Sequence, residues 1–335
     1  MLVLGIESSC DETAAAVVSD RKEILSNVIY SQIAEHKTFG GVVPEIAARA
    51  HLEKIDTVVQ TALREANVEL ADLDAIAGTC GPGLIGGVIV GATFAKALAI
   101  SSGLSFIAVN HIKAHALCAR LTNDVAFPYL LMLASGGHCQ LCIVRGVDDF
   151  EVLGSTIDDS VGEAFDKVAK LLELGYPGGP IIEKTAQLGD ASKFVLPHPM
   201  CTSKTMDFSF SGLKTAVKVA AEKCETEQDK IDLCACFQKT VIEVLRYKIT
   251  QAIKHCLKEK IKISCVVMSG GVAANQAICK SLGNLCEQFH LPFVAPPIRL
   301  CTDNGAMIAW LGVEKYRLGT RDLLNFSPRP RWPLN

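Results

Sequence analysis

A pattern that occurs twice limits what this chain can fold into. Leu2 to Ile6 is a continuous apolar run, Glu7 to Thr13 is polar and carries the adjacent acids Asp11 and Glu12, and Ala14 to Val18 is apolar again. Tyr129 to Val144 repeats it: apolar YLLMLA, the turn Ser135-Gly136-Gly137-His138, then apolar CQLCIV. Short apolar runs bounded by polar turns read as buried strands. Two strand–turn–strand units more than a hundred residues apart predict two related lobes, each opening with a hairpin whose turn faces the space between lobes. A length of 335 residues accommodates that, since domains run to about 100–200 residues.

The segments between and after the hairpins alternate strand and helix. Glu45 to Ala66 has helical spacing in Ile46, Ala47, Ala50, Ile55, Val58, Val59 and Ala62. Asp74 to Thr79 reads as a strand, Gly81-Pro82-Gly83 as a tight turn, Leu84 to Ile100 as a helix, Ser105 to Val109 as a strand and Ile112 to Leu121 as a helix. The second half is more helical: Ser160 to Leu172, Pro180 to Leu188 and a long amphipathic run from Ile231 to Leu257. Phe194 to Lys204 is a loop, Cys265 to Met268 a strand, Ala273 to Cys286 a helix, Phe293 to Ala295 a strand and Ala306 to Tyr316 a last helix. This alternation predicts α/β lobes. Glycine turns near Gly81, Gly136 and Gly270 each follow a strand. Such turns bring backbone N–H groups close to anions, and three of them predict a cleft for a phosphorylated ligand.

Charge and composition exclude several classes. Lys plus Arg number 33 and Asp plus Glu 36, for a net charge of −3, so no global basic bias marks a nucleic-acid binder and any RNA contact must be local. One local candidate is the run of Lys239, Arg246, Lys248, Lys254, Lys258, Lys260 and Lys262; its alternative is a solvated helix face. A second is Arg329-Pro330-Arg331-Trp332, which touches RNA or pins the tail. Ala75 to Ala95 carries no charge, but Pro82 and six glycines break it into strand, turn and helix rather than a membrane span. Val125 to Val144 is broken in the same way by Pro128 and the Ser135–His138 turn. The first residues show no basic, long-apolar, small-residue order of a secretion signal, which predicts a cytoplasmic protein. Its fourteen cysteines then read as small buried hydrophobes in a reducing compartment.

Chemistry concentrates at few positions. His111-x3-His115 places two imidazoles on one helix face beside a strand end, a spacing suited to a metal. Asp303, in a polar turn before the last helix, is the expected third ligand; two His and one carboxylate suit iron or zinc with positions left open. The pair is not the zinc-protease motif, which needs Glu after the first His where this chain has Ile112. Asp11 and Glu12 read either as a solvated turn or as acids of a reaction centre. Asp158-Asp159 and Glu163 with Asp166 form a second acidic group, for ribose hydroxyls or for capping.

Ten segments, taken in order, resemble one known family. They are Gly5–Thr13 (GIESSCDET), Gly40–Glu45 (GGVVPE), Gly81–Gly83 (GPG), His111-x3-His115, Ser135–His138 (SGGH), Gly162–Asp166 (GEAFD), Tyr176–Pro180 (YPGGP), Asp207–Lys214 (DFSFSGLK), Ser269–Asn275 (SGGVAAN) and Cys301–Ala306 (CTDNGA). End to end, the chain resembles the bacterial-type tRNA N6-adenosine threonylcarbamoyltransferases, the TsaD family, formerly labelled O-sialoglycoprotein endopeptidases. The resemblance implies an α/β, two-lobed actin-like ATPase fold, shared with sugar kinases and heat-shock ATPases, with a cleft between a lobe at 1–124 and a lobe at 125–335 that carries a helical insertion at about 155–255. It implies transfer of the threonylcarbamoyl group from threonylcarbamoyl-adenylate to the exocyclic amine of adenosine 37 in tRNAs reading codons that start with A, with release of AMP.

Position by position, the resemblance makes His111, His115 and Asp303 the ligands of one divalent ion, iron, with zinc or magnesium as alternatives. It makes Leu133, Ala134, Ser135, Gly136 and Gly137 the substrate-binding loop, Asp166, Gly179, Glu183 and Asn275 contacts to the adenylate's nucleoside, and Asp11 and Glu12 the catalytic acids. It also implies two helpers, a non-catalytic paralogue packed on the N-terminal lobe and a small ATPase. The Gly-rich helix after Gly83 is a candidate for part of that interface. Departures are few: Cys139 where many members have Thr, Ala114 where many have Gly, and Leu133 where archaeal relatives add a Tyr ligand. Three other readings compete: a metalloprotease acting on glycoproteins, disfavoured by Ile112; a kinase or ATPase, for which a cleft metal on two histidines would be unusual; and a silent scaffold, which would have no use for His111, His115 and Asp303.

Overall fold

The computed structural model describes residues 1–334. The chain opens with β1 (Leu2–Glu7), β2 (Glu12–Ser19), β3 (Ile24–Ser31), α1 (Ile33–Lys37), α2 (Pro44–Ala66), β4 (Ala75–Gly81), α3 (Ile85–Ser102), β5 (Ser105–Asn110) and α4 (His111–Thr122). It continues through β6 (Tyr129–Ala134), β7 (Cys139–Val144), β8 (Phe150–Ser155), α5 (Val161–Leu171), α6 (Gly178–Ala186), α7 (Ser211–Ala221), α8 (Glu227–Lys258), β9 (Val266–Ser269), α9 (Gln276–Glu287) and β10 (Phe293–Val294), and closes with α10 (Gly305–Arg317). Two compact units result, one of residues 1–124 with 302–335, the other of residues 125–301.

The expected repetition is present in the strand order. In the first unit the sheet runs β3-β2-β1-β4-β5, and in the second β10-β9-β6-β7-β8. The leading hairpin is antiparallel in each, β1 with β2 and β6 with β7, and its first strand pairs on the other side with a parallel strand, β4 or β9. Central strands flanked on both edges and covered on both faces read as near-continuous apolar runs, which is why they were legible. β3 and β8 were not anticipated. They are edge strands whose residues are mostly half-buried and mix polar with apolar types, so the apolar signal is diluted.

Within the first unit, strand alternation sends successive β1 side chains to opposite faces. Leu4 and Ile6 join a core with Ile55 and Val58 of α2 and Ala92 of α3. The other face receives α10, and the approach is close: a Cβ on Gly5 would lie 2.2 Å from the Ala309 backbone nitrogen, and one on Gly305 would lie 2.5 Å from the carbonyl carbon of Ala15. This packing corrects the expected division. Residues 302–335 belong with 1–124 and not with 125–301, because α10 is buried against β1, β2, β4 and α4.

Within the second unit, Leu130, Met132 and Ala134 of β6 share a core with Phe165 and Val168 of α5 and Phe237, Val241 and Val244 of α8. α8 starts a turn earlier than its apolar periodicity, because Thr226 and Asp229 form a reciprocal capping box. The basic run along it is not one face. Lys248 is fully buried and donates to the carbonyls of Met200 and Thr205, both at 2.8 Å, and Arg246 donates to the Ser281 carbonyl.

One described helix, α3, has the length and mean hydropathy (1.6) of a membrane span. It lies against β4 and α2, with Val88, Ala92, Ala95 and Ala99 buried. All fourteen cysteines are free thiols, ten of them buried.

Candidate active site

In the first unit the local sequence builds a histidine–carboxylate cluster. Asn110 ends β5 and caps α4, its side-chain oxygen accepting from the backbone N–H of Ile112 and Lys113 at 2.9 and 3.2 Å. α4 therefore begins at His111, and its pitch brings His115 onto the same face, with ring centroids 4.7 Å apart and planes at 88°. Asn304 caps α10 in the same way, accepting from Met307 N at 3.0 Å, and this holds the turn carrying Asp303. Asp303 Oδ1 lies 2.9 Å from His115 Nε2 and 3.4 Å from His111 Nε2. One donor atom from each residue falls within 4.8 Å of the others. The three residues expected as ligands are thus brought together inside one unit, correcting the expectation that Asp303 approaches from the other lobe.

Behind them lies a residue the sequence did not mark. Glu7, fully buried at the end of β1, accepts from the backbone N–H of Ser9, from Thr79 Oγ1 at 2.7 Å and from His111 Nδ1 at 2.9 Å. Ser9 Oγ also lies 3.1 Å from His111 Nδ1. A carboxylate on Nδ1 fixes the tautomer that leaves Nε2 as a lone pair, the usual outer support of a metal-binding histidine. The only sequence signal for this role was an acid closing an otherwise apolar strand.

The surrounding acids set the proton affinities. Burial disfavours the His111 cation, yet Glu7 and Asp303 outweigh it and raise its pKa well above the ordinary imidazole range. Burial pushes the Asp303 carboxyl up, but the two imidazoles hold it well below the usual range. Glu12 goes the other way: burial, then the neighbouring Asp303 and Asp11 charges, raise its carboxyl well above a normal glutamate. Two imidazole nitrogens and a carboxylate oxygen, with a carboxylate supporting one ring, form a donor set that fits a divalent transition metal.

The second unit gathers the other expected residues. Leu133 and Ala134 are buried in β6, paired with Gln140 and Cys139, so only their backbone could meet a ligand. Ser135 N accepts no ligand role by default, since it donates to His138 O at 2.8 Å; Gly136 and Gly137 are exposed, with open space where a Cβ would stand. Asp166 accepts from Gly178 N at 2.7 Å, tying α5 to the start of α6, and Gly179 follows with open space at its Cα. Glu183 accepts from Gln276 N at 2.7 Å, while Asn275 caps α9 through Ile278 N and donates to Gln238 at 2.9 Å. Asp158 and Asp159 have structural work: Asp158 accepts from Phe210 N, and Asp159 pairs with Lys167 and Lys214 at 2.7 and 3.2 Å.

One expectation is corrected here, and of the two readings of the Arg329–Trp332 segment the pinned tail is the one observed. Gly81 does not open onto a ligand: its φ of +130° suits glycine, but a Cβ would collide with the Arg329 carbonyl at 1.8 Å, and Gly83 N donates to Pro330 O at 3.2 Å. The tail fills that turn, and Arg329 stacks over the rings of Phe326 and Trp332.

The family model of the tRNA N6-adenosine threonylcarbamoyltransferases, TsaD, matches residues 23–310. The chain belongs to the TsaD family. A tRNA N6-adenosine threonylcarbamoyltransferase of Paramagnetospirillum magneticum is 55% identical over 338 residues, covering 100% of this chain and 97% of the relative. One of Brucella canis is 53% identical over 343 residues, covering 100% and 96%. Solved structures agree on the fold: HypF of T. kodakarensis superposes with a TM-score of 0.62 at 15% identity over 95% of this chain and 48% of its own. Component A of the Acidaminococcus fermentans (R)-2-hydroxyglutaryl-CoA dehydratase gives 0.53 at 16% identity over 95% and 99%. The α/β actin-like ATPase fold expected from the TsaD resemblance is therefore the fold observed, and the protein is a transferase acting in tRNA modification. The glycoprotease reading is not favoured: where a zinc protease places its general base, this TsaD chain has Ile112, buried at 3% exposure.

Proposed function

We propose that this chain takes the threonylcarbamoyl group from threonylcarbamoyl-adenylate and places it on the exocyclic amine of adenosine 37 in tRNAs that read codons starting with A. The amine nitrogen bonds to the carbamoyl carbon, the bond from that carbon to the phosphate oxygen breaks, and AMP departs with the bonding pair. The amine gives up one proton. The carbamoyl carbon is already activated by its phosphate, so the protein's contribution is to position the reactants and manage that proton. Glu12 is the acid assigned to accept it; burial, then the Asp303 and Asp11 charges, raise its proton affinity above that of an ordinary glutamate. Asp11 beside it contributes to that rise. On the second unit, the Gly136-Gly137 backbone and the Asp166, Gly179, Glu183 and Asn275 group are assigned to the donor.

The observation that carries the reading is the His111–His115–Asp303 cluster, backed by Glu7, in a chain of this family. His111, His115 and Asp303 would hold one divalent ion, iron by preference, with zinc or magnesium as alternatives. When bound, the ion supplies Lewis-acid polarisation of a donor oxygen. A non-catalytic paralogue is proposed to dock on the outward faces of α2 and α3, where Leu52, Ile85, Ile89 and Ile100 are 45–70% exposed. A small ATPase completes the helper set, and the compartment is the cytoplasm.

The test is mass spectrometry of tRNA nucleosides after incubation with threonylcarbamoyl-adenylate, helpers and unmodified tRNA. Wild type should yield N6-threonylcarbamoyladenosine. His115→Ala should stay folded, lose bound metal and lose transfer with it. A folded, metal-free variant that transfers at the wild-type rate would remove the metal from the reaction; one that keeps all its metal would overturn the ligand assignment.

A further inference from the structure

His36, Gln32 and His51 are each fully buried in the first unit, outside the cluster described above. They form a continuous hydrogen-bonded line whose direction can be deduced. At one end the backbone N–H of Val43 can only donate, and it meets His36 Nδ1 at 3.3 Å. His36 therefore carries its proton on Nε2, which donates to Gln32 Oε1 at 3.1 Å. That fixes the Gln32 amide, whose nitrogen faces His51 Nδ1 at 3.4 Å. Thr13 Oγ1 lies closer to the same nitrogen, at 2.7 Å. His51 Nδ1 is thus an acceptor and the proton sits on Nε2, which donates to the Cys10 carbonyl at 3.1 Å. Both ends are backbone groups of fixed polarity, and every link agrees with two neutral imidazoles.

The far end of this line is the turn that carries Asp11 and Glu12. Its backbone is held at two successive carbonyls: Cys10 O by His51, and Asp11 O by Gln32 N at 3.0 Å. Gln32 takes part in both anchors, once through its side chain and once through its backbone. His51 has almost no room to shift. A Cβ on Gly87 would come within 2.9 Å of its ring, and Thr13 holds the opposite nitrogen.

We propose that His51 is a positioning residue for transfer, holding the Asp11–Glu12 turn in its reactive placement through the bond from Nε2 to the Cys10 carbonyl. The inference rests on the reading of those acids as the proton-handling groups. Burial keeps the His51 imidazole below its ordinary pKa and so neutral, as the line requires. A displacement of a reacting group by about 1 Å can cost on the order of a hundredfold in rate, so losing one backbone anchor beside the acids falls on turnover.

Two variants separate positioning from packing. Glutamine places its amide nitrogen where His51 Nε2 stands, and His51→Gln keeps the bond to Cys10. Asparagine reaches only the Thr13 and Gln32 side, and His51→Asn loses it. Both shorten or soften the same buried ring, so a structural role alone moves both alike. The complete reaction with helpers should show kcat for His51→Asn lowered about tenfold or more, with KM for donor and tRNA within about twofold of wild type. His51→Gln should recover to within about threefold of wild type in kcat. Equal kcat in the two variants, or an effect confined to KM, overturns the proposal. If His51→Asn does not fold, the isosteric Thr13→Val removes the closer of the two groups on Nδ1, leaving the ring to Gln32 at 3.4 Å, and should lower kcat at unchanged KM; wild-type kcat there overturns it equally. Glu12→Gln separates this failure from that of the underlying reading. If Glu12→Gln transfers normally, the acids are not the proton-handling groups; if it is inactive while the two His51 variants match, only the positioning role falls.

Discussion

Replacing Glu7 by glutamine should weaken the proposed metal site without touching any residue proposed to hold the ion. Glu7 accepts three hydrogen bonds, from Ser9 N, Thr79 Oγ1 and His111 Nδ1, and an amide has one oxygen and one NH2 group to meet them. Ser9 N can only donate, so the amide oxygen must face it; the flipped amide would set two buried donors against each other, at a cost of about 1–3 kcal/mol. The NH2 group then faces Thr79 and His111. The Thr79 hydroxyl can rotate to accept. His111 Nδ1 can accept only if its proton moves to Nε2, and that proton covers the lone pair a metal needs. Losing such outer support costs about 10–100-fold in metal affinity, or about 1.4–2.7 kcal/mol at about 1.4 kcal/mol per decade. The fold should persist, since Nε2–H gains Asp303 Oδ1, 3.4 Å away, as its acceptor. Chelator competition followed by metal analysis, with thermal unfolding on the same samples, reads both quantities. Wild-type metal affinity in a folded Glu7→Gln protein would refute the tautomer argument and the role given to Glu7.

Two further outcomes are expected. Gly5→Ala drives a methyl to within 2.2 Å of the Ala309 backbone nitrogen, so α10 must shift; overpacking of this kind destabilises by about 1–3 kcal/mol or more, read as a lower denaturant midpoint, and an unchanged midpoint would contradict the packing. Burial raises the thiol pKa of Cys80 and Cys142 to about 12, so at pH 8 both stay protonated and slow to alkylate; mass mapping should find native labelling led by the half-buried Cys201 and Cys224, with all fourteen thiols reacting after denaturation, and rapid native labelling of Cys142 would count against the core.

The sequence made the central strands legible because strands covered on both faces are built from near-continuous apolar runs, Leu2–Ile6 in β1 and Tyr129–Ala134 in β6. The edge strand β3, with its partly exposed Ser26–Ser31 stretch, offered no such run. His111 and His115 could be paired from spacing alone, because helix pitch is local. The unit to which Asp303 belongs could not, because it depends on glycines at 5, 305 and 312 letting α10 lie flat on β1. Gly81 misled for the same reason in reverse: a glycine admits close backbone approach, but the spacing does not say whether a ligand or the chain's own Arg329 makes it. The role of Glu7 was invisible because Thr79 and His111 lie 72 and 104 residues away in sequence, and that of His51 because Cys10 lies 41 away.

The return of the last helix to the first unit has a consequence for synthesis. His115 and Asp303 are separated by 188 residues, and at about 5–20 residues per second a ribosome needs roughly 10 to 40 s to travel that distance. Throughout that interval the first unit lacks α10, so one face of its central strand is uncovered and its histidine pair has no carboxylate between the rings. The whole second unit emerges before the first can close. A chain ended before Asp303, however much of it has folded, would therefore carry the two histidines without their carboxylate, and occupancy of the proposed metal site would report that translation had passed Asp303.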